Sequence, residues 1–290
     1  MSDDPGPMVR RRQLGSALRR YRTAAKLTVT EVAARLSVAP STVSRIENAQ
    51  RKPSVGDVRY LCEIYGINDQ ATLDQLMGLA QGSRKRAWWE DGNIPPAMQK
   101  LIGLEGAAEL IKEFEPLAIP GLLQTFGYAT AVVTTYHGGD ADQIDNIINT
   151  RMRRQQILDR ESSPRFHAVV DEAVLYRVVG GPDVMRGQIE HLIKLSEESH
   201  VSLRVIPFTA GAHIGMNGGF TILEFSPAEE PPSTSTLRSA VYVEALYEYA
   251  FRDSDEELRS YSAAFATLTE RSLSESETLA LLKRASHTKG

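Results

Sequence analysis

Residues 40–52 read Pro-Ser-Thr-Val-Ser-Arg-Ile-Glu-Asn-Ala-Gln-Arg-Lys, a stretch whose chemistry is hydrogen bonding to a large polar partner rather than catalysis. At helical spacing Val43 and Ile46 share one face, which leaves Ser41, Thr42, Ser44, Arg45 and Asn48 on outward arcs. The Arg45 guanidinium can donate twice to guanine O6 and N7, the hydroxyls of Ser41, Thr42 and Ser44 can donate or accept, and the Thr42 methyl can meet a thymine methyl. Asn48, Arg51 and Lys52, with Thr28 and Thr30 upstream and Arg19 in an arginine-rich segment before them, suit phosphate oxygens, which set register and salt-dependent affinity.

The titratable residues farther along compose no comparable set. His167, Asp171, Glu172, His191 and His213 invite a search for acid–base or metal chemistry, but none stands in an H-E-x-x-H, Cys–His, P-loop or G-x-S-x-G pattern. Asp171 and Glu172 are adjacent, so a strand would send them to opposite faces and a helix would use them in its first turn, both structural roles. His213, between Gly211 and Gly215 in a loop that starts at Phe208, is the best candidate for a ligand or partner loop, although a histidine with a local hydrogen bond is the plainer reading. No catalytic residue, metal ligand or cofactor is expected.

Five short helices must position the first set. One runs from about Arg10 to Ala25, with Leu14, Leu18 and Tyr21 inward and Arg11, Arg12, Arg19, Arg20 and Arg22 around its other faces. The second starts at Thr28, with Glu31 completing a capping box and Val32, Ala33 and Leu36 inward. Pro40 opens the third, and helices near 54–65 and 70–81 close the bundle.

Charge divides in the same place. Residues 1–86 carry 15 Lys and Arg against 8 Asp and Glu, a net +7, while the remainder is net −11, so a basic module precedes an acidic one. At 290 residues the chain suits two domains, with boundaries expected at 1–82, a linker over 83–95, and 96–285. No apolar run reaches membrane-spanning length, MSDDPGPMVRRR does not read as a signal peptide, and the single Cys62 forms no internal disulfide; a cytoplasmic protein is expected.

The segment LTVTEVAARLSVAPSTVSRIENAQRKPS resembles the helix-turn-helix of the phage-repressor-like, xenobiotic-response-element (XRE) regulators, through Thr28, Glu31, Ala33, Leu36, Val38, Ser41, Val43, Ser44, Ile46, Glu47 and Pro53 in one register. That resemblance implies an all-α, five-helix, lambda-repressor-like domain whose third helix enters the major groove of double-stranded DNA. The chain departs from the family at Val29 and Pro40, where glutamine is common, and at Ala49, where glycine is common, so Ser41 and Arg45 carry more of the base reading.

Beyond residue 86 the expected order is helices over 96–160, one with Leu101, Leu104, Ala108 and Ile111 on a stripe and another from about Asp140 to Arg160. Strands near 166–170, 202–207, 220–225 and 239–243, a helix over 182–199, and helices near 254–271 and 274–284 complete a mixed α/β domain. The tryptophan pair Trp88–Trp89 is read as packing. P-G-L-L-Q-T at 120–125, R-x-x-R-Q at 151–155, D-E-A-x-L at 171–175, V-x-P-F-x-A-G-x-H at 205–213 and V-Y-V-E at 241–244 together resemble the domain behind this helix-turn-helix in many actinobacterial regulators, described as Scr1-like or antitoxin-like and found in WhiJ-like developmental regulators. The resemblance implies a regulator of development or specialised metabolism acting with a small companion protein encoded nearby. A homodimer on an inverted-repeat operator is expected, because one short helix reads only a few base pairs. A small-molecule-sensing repressor, and an enzyme with an accessory DNA-binding module, stand as alternatives.

Overall fold

A computed structural model describes residues 6–90, 94–136, 141–159, 163–225, 239–245 and 248–287. They divide into two compact units, one formed by residues 6–90 with 102–107, the other by 94–101, 108–225 and 239–287. The first is helical and the second is a mixed α/β unit.

The first unit is built from α1 (Gly6–Ala24), α2 (Val29–Leu36), α3 (Pro40–Glu47), α4 (Val55–Tyr65) and α5 (Gln70–Arg84). Its core joins Leu14 and Leu18 of α1 to Val32, Ala33, Val43, Ile46, Val58, Leu61, Cys62, Leu76 and Ala80, the apolar stripes of all five helices. Backbone amides at a helix start have no partner within the helix, and in α2, α4 and α5 a side chain supplies one. Thr28 and Glu31 form the capping box of α2, Ser54 and Asp57 that of α4, and Asp69 caps α5. Ser37 (φ 54°) and Gly66 (φ 72°) end α2 and α4 in the left-handed region. The last helix runs past the expected residue 81 to Arg84, and Trp89 is buried with Trp88 edge-on to it (5.3 Å, 87°).

The second unit carries a six-stranded sheet of β1 (Leu110–Glu115), β2 (Arg165–Asp171), β3 (Val201–Ile206), β4 (Phe220–Glu224), β5 (Ser239–Glu244) and β6 (Tyr249–Arg252), in the order β3-β2-β1-β4-β5-β6. Strands β1, β2 and β3 are parallel, and β4, β5 and β6 join antiparallel. Its helices are α7 (Phe126–Tyr136), α8 (Ala141–Gln155), α9 (Ala173–Tyr176), α10 (Pro182–Leu195), α11 (Asp255–Arg271) and α12 (Glu275–His287), while α6 (Pro96–Glu105) is divided between the two units after Leu101. One face of the sheet packs Phe114, Val169, Ile206, Phe220, Ile222 and Val241 against Phe265 and Leu268 of α11.

Two expectations are corrected. Ile111 does not continue a helical stripe from Leu101: α6 stops at Glu105, and Ile111 lies in β1, at the centre of the sheet. A central strand is covered on both faces, so Leu110-Ile111-Lys112-Glu113-Phe114 lacks the alternation that would mark it. The exposed edge strand β6 was not expected either. Helix α8 ends at Gln155, whereas the expected termini Asp140 and Arg160 lie outside the described residues. No helix among the described residues is long and apolar enough to cross a membrane.

Gly15 marks a backbone-to-backbone approach in the helical unit. A β-carbon added there would sit 2.5 Å from the Glu47 carbonyl oxygen and 2.9 Å from that of Ile46, so α1 and the end of α3 touch backbone to backbone. Gly15→Ala is expected to force them apart, at a loss of about 1–3 kcal/mol despite the better helix propensity of alanine. Urea unfolding checks this, and a variant as stable as the parent would show that the two helices can separate freely.

Candidate functional site

On α3, Val43 and Ile46 are buried, Ser41 and Arg45 are exposed one turn apart, and Thr42 and Ser44 flank them half-buried. The Arg45 and Ser41 side chains make no hydrogen bond or ion pair with any described residue, so both are available to an external partner. Pro40 stands at the first turn, where its missing N–H costs nothing. At the other end Ala49 takes φ 58°, the left-handed conformation for which glycine is the usual residue. The Gln50 and Arg51 amides donate to the Arg45 carbonyl at 2.8 and 3.0 Å, closing the helix and turning Arg51 back toward Thr42, whose hydroxyl its Nη1 reaches at 3.5 Å.

Among the residues expected at phosphates, Thr30, Arg51 and Lys52 are exposed. Thr28 is exposed too, but its hydroxyl serves the α2 cap, accepting from the Glu31 amide and donating to Oε2. Asn48 is half-buried, with Nδ2 3.4 Å from Ser44 Oγ. Arg19 needs correction. It is only 8% exposed, and its guanidinium donates to Glu47 Oε2 (3.3 Å) and Asn48 Oδ1 (2.8 Å), so it faces the interior of the unit instead of solvent.

Glu47 and Arg22 are the residues that sequence reasoning passed over as site determinants. Glu47 is 4% exposed, and Arg22 grips it with both Nε (2.7 Å) and Nη2 (3.0 Å), while Arg22 Nη1 donates to the Leu27 carbonyl just before α2 (2.8 Å). One carboxylate thus ties α1, the entry to α2 and the end of α3. The signal was present in the sequence, as an acidic residue on the apolar side of α3 and arginines three apart on α1, but their pairing spans 25 and 28 positions.

In the second unit the sequence motifs meet in two clusters. D-E-A-x-L and V-x-P-F-x-A-G-x-H join where Asp171 Oδ2 lies 3.2 Å from His213 Nε2 and Glu172 Oε2 accepts the Phe208 amide at 2.7 Å. His213 packs edge-on to Phe114, and a β-carbon at Gly215 would strike that Phe114 ring at 2.2 Å, so the glycine is what allows the loop to close. Phe208 itself is exposed and stacks on Tyr176 with ring centroids 6.0 Å apart, while Gly211 takes φ 67°. His167 lies toward the other end of β2 and His191 on α10, so the histidines do not converge. No group of three or more metal-ligating side chains is found among the described residues.

P-G-L-L-Q-T, R-x-x-R-Q and V-Y-V-E form the second cluster. Arg151 donates to Gln124 Oε1 (2.6 Å), Gln155 Nε2 to the carbonyls of Gly121 (2.9 Å) and Gln124 (2.8 Å), and Tyr242 to Glu244 (3.2 Å). From β1, Glu113 and Glu115 join this charged group. Burial pushes the Glu115 carboxyl up to about 8, reinforced by Glu113 and Glu244 and opposed by Arg154 and Arg151.

Two outcomes follow. Glu47→Ala, which strands the buried Arg19 and half-buried Arg22 guanidinium groups, is expected to cost the helical unit about 3–5 kcal/mol in urea unfolding; a loss below about 1 kcal/mol would mean that the pair does not anchor α3. Glu115, ionising near 4.5 when unfolded and near 8 when folded, stabilises the fold below that window and loses its contribution as pH rises through it. Glu115→Gln should therefore flatten the fall in stability between pH 5 and 8, and an unaltered slope would show that Glu115 is ionised in the fold.

No curated protein and no solved structure matches the chain. Residues 13–76, which include α2 and α3, match the family described as Helix-turn-helix domain. Residues 98–284 match the family described as Domain of unknown function (DUF5753). That second match spans well over half of the chain, which therefore belongs to the DUF5753 family and is a helix-turn-helix regulator that binds DNA.

Proposed function

We propose that this regulator reads a specific inverted-repeat operator as a homodimer, with Arg45 and Ser41 as its principal base readers and Thr42 and Ser44 beside them. The observation that carries the reading is the contrast on α3: Glu47 is locked inward by Arg22 and Arg19, while Arg45, half a turn away, is exposed and has no side-chain partner among the described residues. A helix held rigidly on its inner side presents its outer side chains at a defined angle, which bidentate recognition of guanine requires. Thr30, Asn48, Arg51 and Lys52 contact the DNA backbone in this reading, while Thr28 and Arg19 are left out because the hydroxyl of one and the guanidinium of the other are spent inside the unit.

A companion protein docking on the second unit fits the XRE-type, WhiJ-like resemblance and a role in actinobacterial development or specialised metabolism. What supports it is the exposure of Tyr176 at the end of α9 and of Phe208, Ile214 and Met216 in the segment that follows β3, an apolar grouping unusual on a surface without a partner. Dimerisation is supported by the reach of a single α3, and a monomer on the bound operator in analytical ultracentrifugation would remove that part of the proposal.

The test is selection of genomic fragments by the full chain at about 150 mM salt, where purely electrostatic binding is weak. A palindromic motif is expected, with Arg45→Ala losing about tenfold or more of affinity at one base pair of each half-site, as loss of a bidentate contact entails. Lys52→Ala should instead weaken all sequences alike and lower the salt dependence by about one counterion for each half-site. Enrichment that survives Arg45→Ala unchanged would refute the assignment.

A further inference from the structure

We propose that the second unit holds a binding site for a small organic oxyanion, a carboxylate or a phosphate ester, in the cavity between β2, β3 and α11. The parallel register sets His167 beside Ser202 and Val169 beside Arg204, so the alternation of the strands sends all four to one face. Farther along the strands that same face is the apolar core with Phe114, Ile206 and Phe265. Toward the start of β2 and β3 the packing opens into a cavity of about 480 Å³, lined by Arg165, His167, Arg204, His200, Phe265 and Glu275 among others. That volume lies within the range of small-molecule sites and far below what a DNA duplex needs.

The chemistry of the lining selects the ligand. Arg204 is half-buried, yet neither its guanidinium nor that of Arg165 hydrogen-bonds or ion-pairs with any described residue. A guanidinium partly stripped of water and given no carboxylate is costly, and its planar fork matches a carboxylate or phosphate in two parallel hydrogen bonds. His167 makes no side-chain hydrogen bond with a described residue either; burial, Arg165 and Lys112 hold it toward the neutral form against Glu275 and Glu224, so one ring nitrogen can donate and the other accept. Phe265 and Val169 supply an apolar wall for a carbon skeleton. Of the acids on the lining, Glu275 accepts the Ser202 hydroxyl, and Glu197 and Glu198 are exposed at the mouth. These acids disfavour a polyanion at the entrance while leaving the guanidinium groups to a small one.

Isothermal titration of the full chain with citrate, and separately with glycerol phosphate, in 150 mM chloride tests the site and distinguishes the two oxyanion sources. One saturable site is expected for at least one probe, weakened about tenfold or more by Arg204→Gln, the loss of one charge-assisted pair. His167→Gln is expected to weaken it by a smaller factor, and Arg204→Lys to recover only part of the affinity, because an ammonium keeps the charge without the fork. Circular dichroism and melting of each variant without probe confirm that it folds, and His167→Gln carries the test if Arg204→Gln does not. Absence of saturable binding by both probes overturns the proposal, as does binding that a folded Arg204→Gln or His167→Gln leaves unchanged.

Discussion

A carboxylate enclosed by protein must be met by donors, and in the helical unit Glu47 meets two guanidinium groups from α1. Arg22 adds a bond to the Leu27 carbonyl, so the same side chain that holds the end of α3 also holds the chain where α2 begins. Gly15 permits the approach, since any β-carbon there would collide with the carbonyls of Ile46 and Glu47. Apolar packing by Val43 and Ile46 brings α3 to the core, but apolar contacts are non-directional. The ion pair adds direction: it fixes the roll of α3 about its axis, and with it the bearing of Arg45 and Ser41.

The second unit solves a different problem around β1. Strand alternation gives that one segment two characters, with Phe114 toward the α11 core and Glu113 and Glu115 toward the opposite face. The charged face draws in Arg151 and Arg154 from α8, Glu244 from β5 and the Gly121–Gln124 turn, which Gln155 also secures. Three motifs dispersed over more than a hundred residues thereby meet in one polar cluster, two of them joined by hydrogen bonds and the third by the charge of Glu244.

The residues that look most like catalytic machinery have a mechanical role here. Asp171 and Glu172, on either side of the end of β2, hold His213 and the Phe208 amide, pinning the loop that follows β3 to the strand beside it. Their adjacency in sequence, which would separate them in a continuing strand, works because the strand ends between them: Ala173 donates its amide back to Asp171 Oδ1 (2.8 Å) as the short α9 begins. The pinned loop in turn presents Phe208, Ile214 and Met216 to solvent.

What the sequence determined by itself is local. The capping box of Thr28 and Glu31, Pro40 at the start of α3 and the apolar stripes of α1 to α5 all act over three or four residues, and spacing alone expresses them. The helical unit, the outward set on α3 and the α/β character of the remainder follow from such signals. Only the tertiary structure decided which arginines of α1 face solvent, because helix periodicity treats Arg19, Arg20 and Arg22 as equal polar positions until Glu47 arrives from another helix to engage two of them. It also decided that Ile111 belongs to a strand, since a centre covered on both faces erases alternation, and that β2 and β3 leave Arg204 facing a cavity. Pairing between segments depends on chain closure over tens of residues, a distance across which no spacing rule applies.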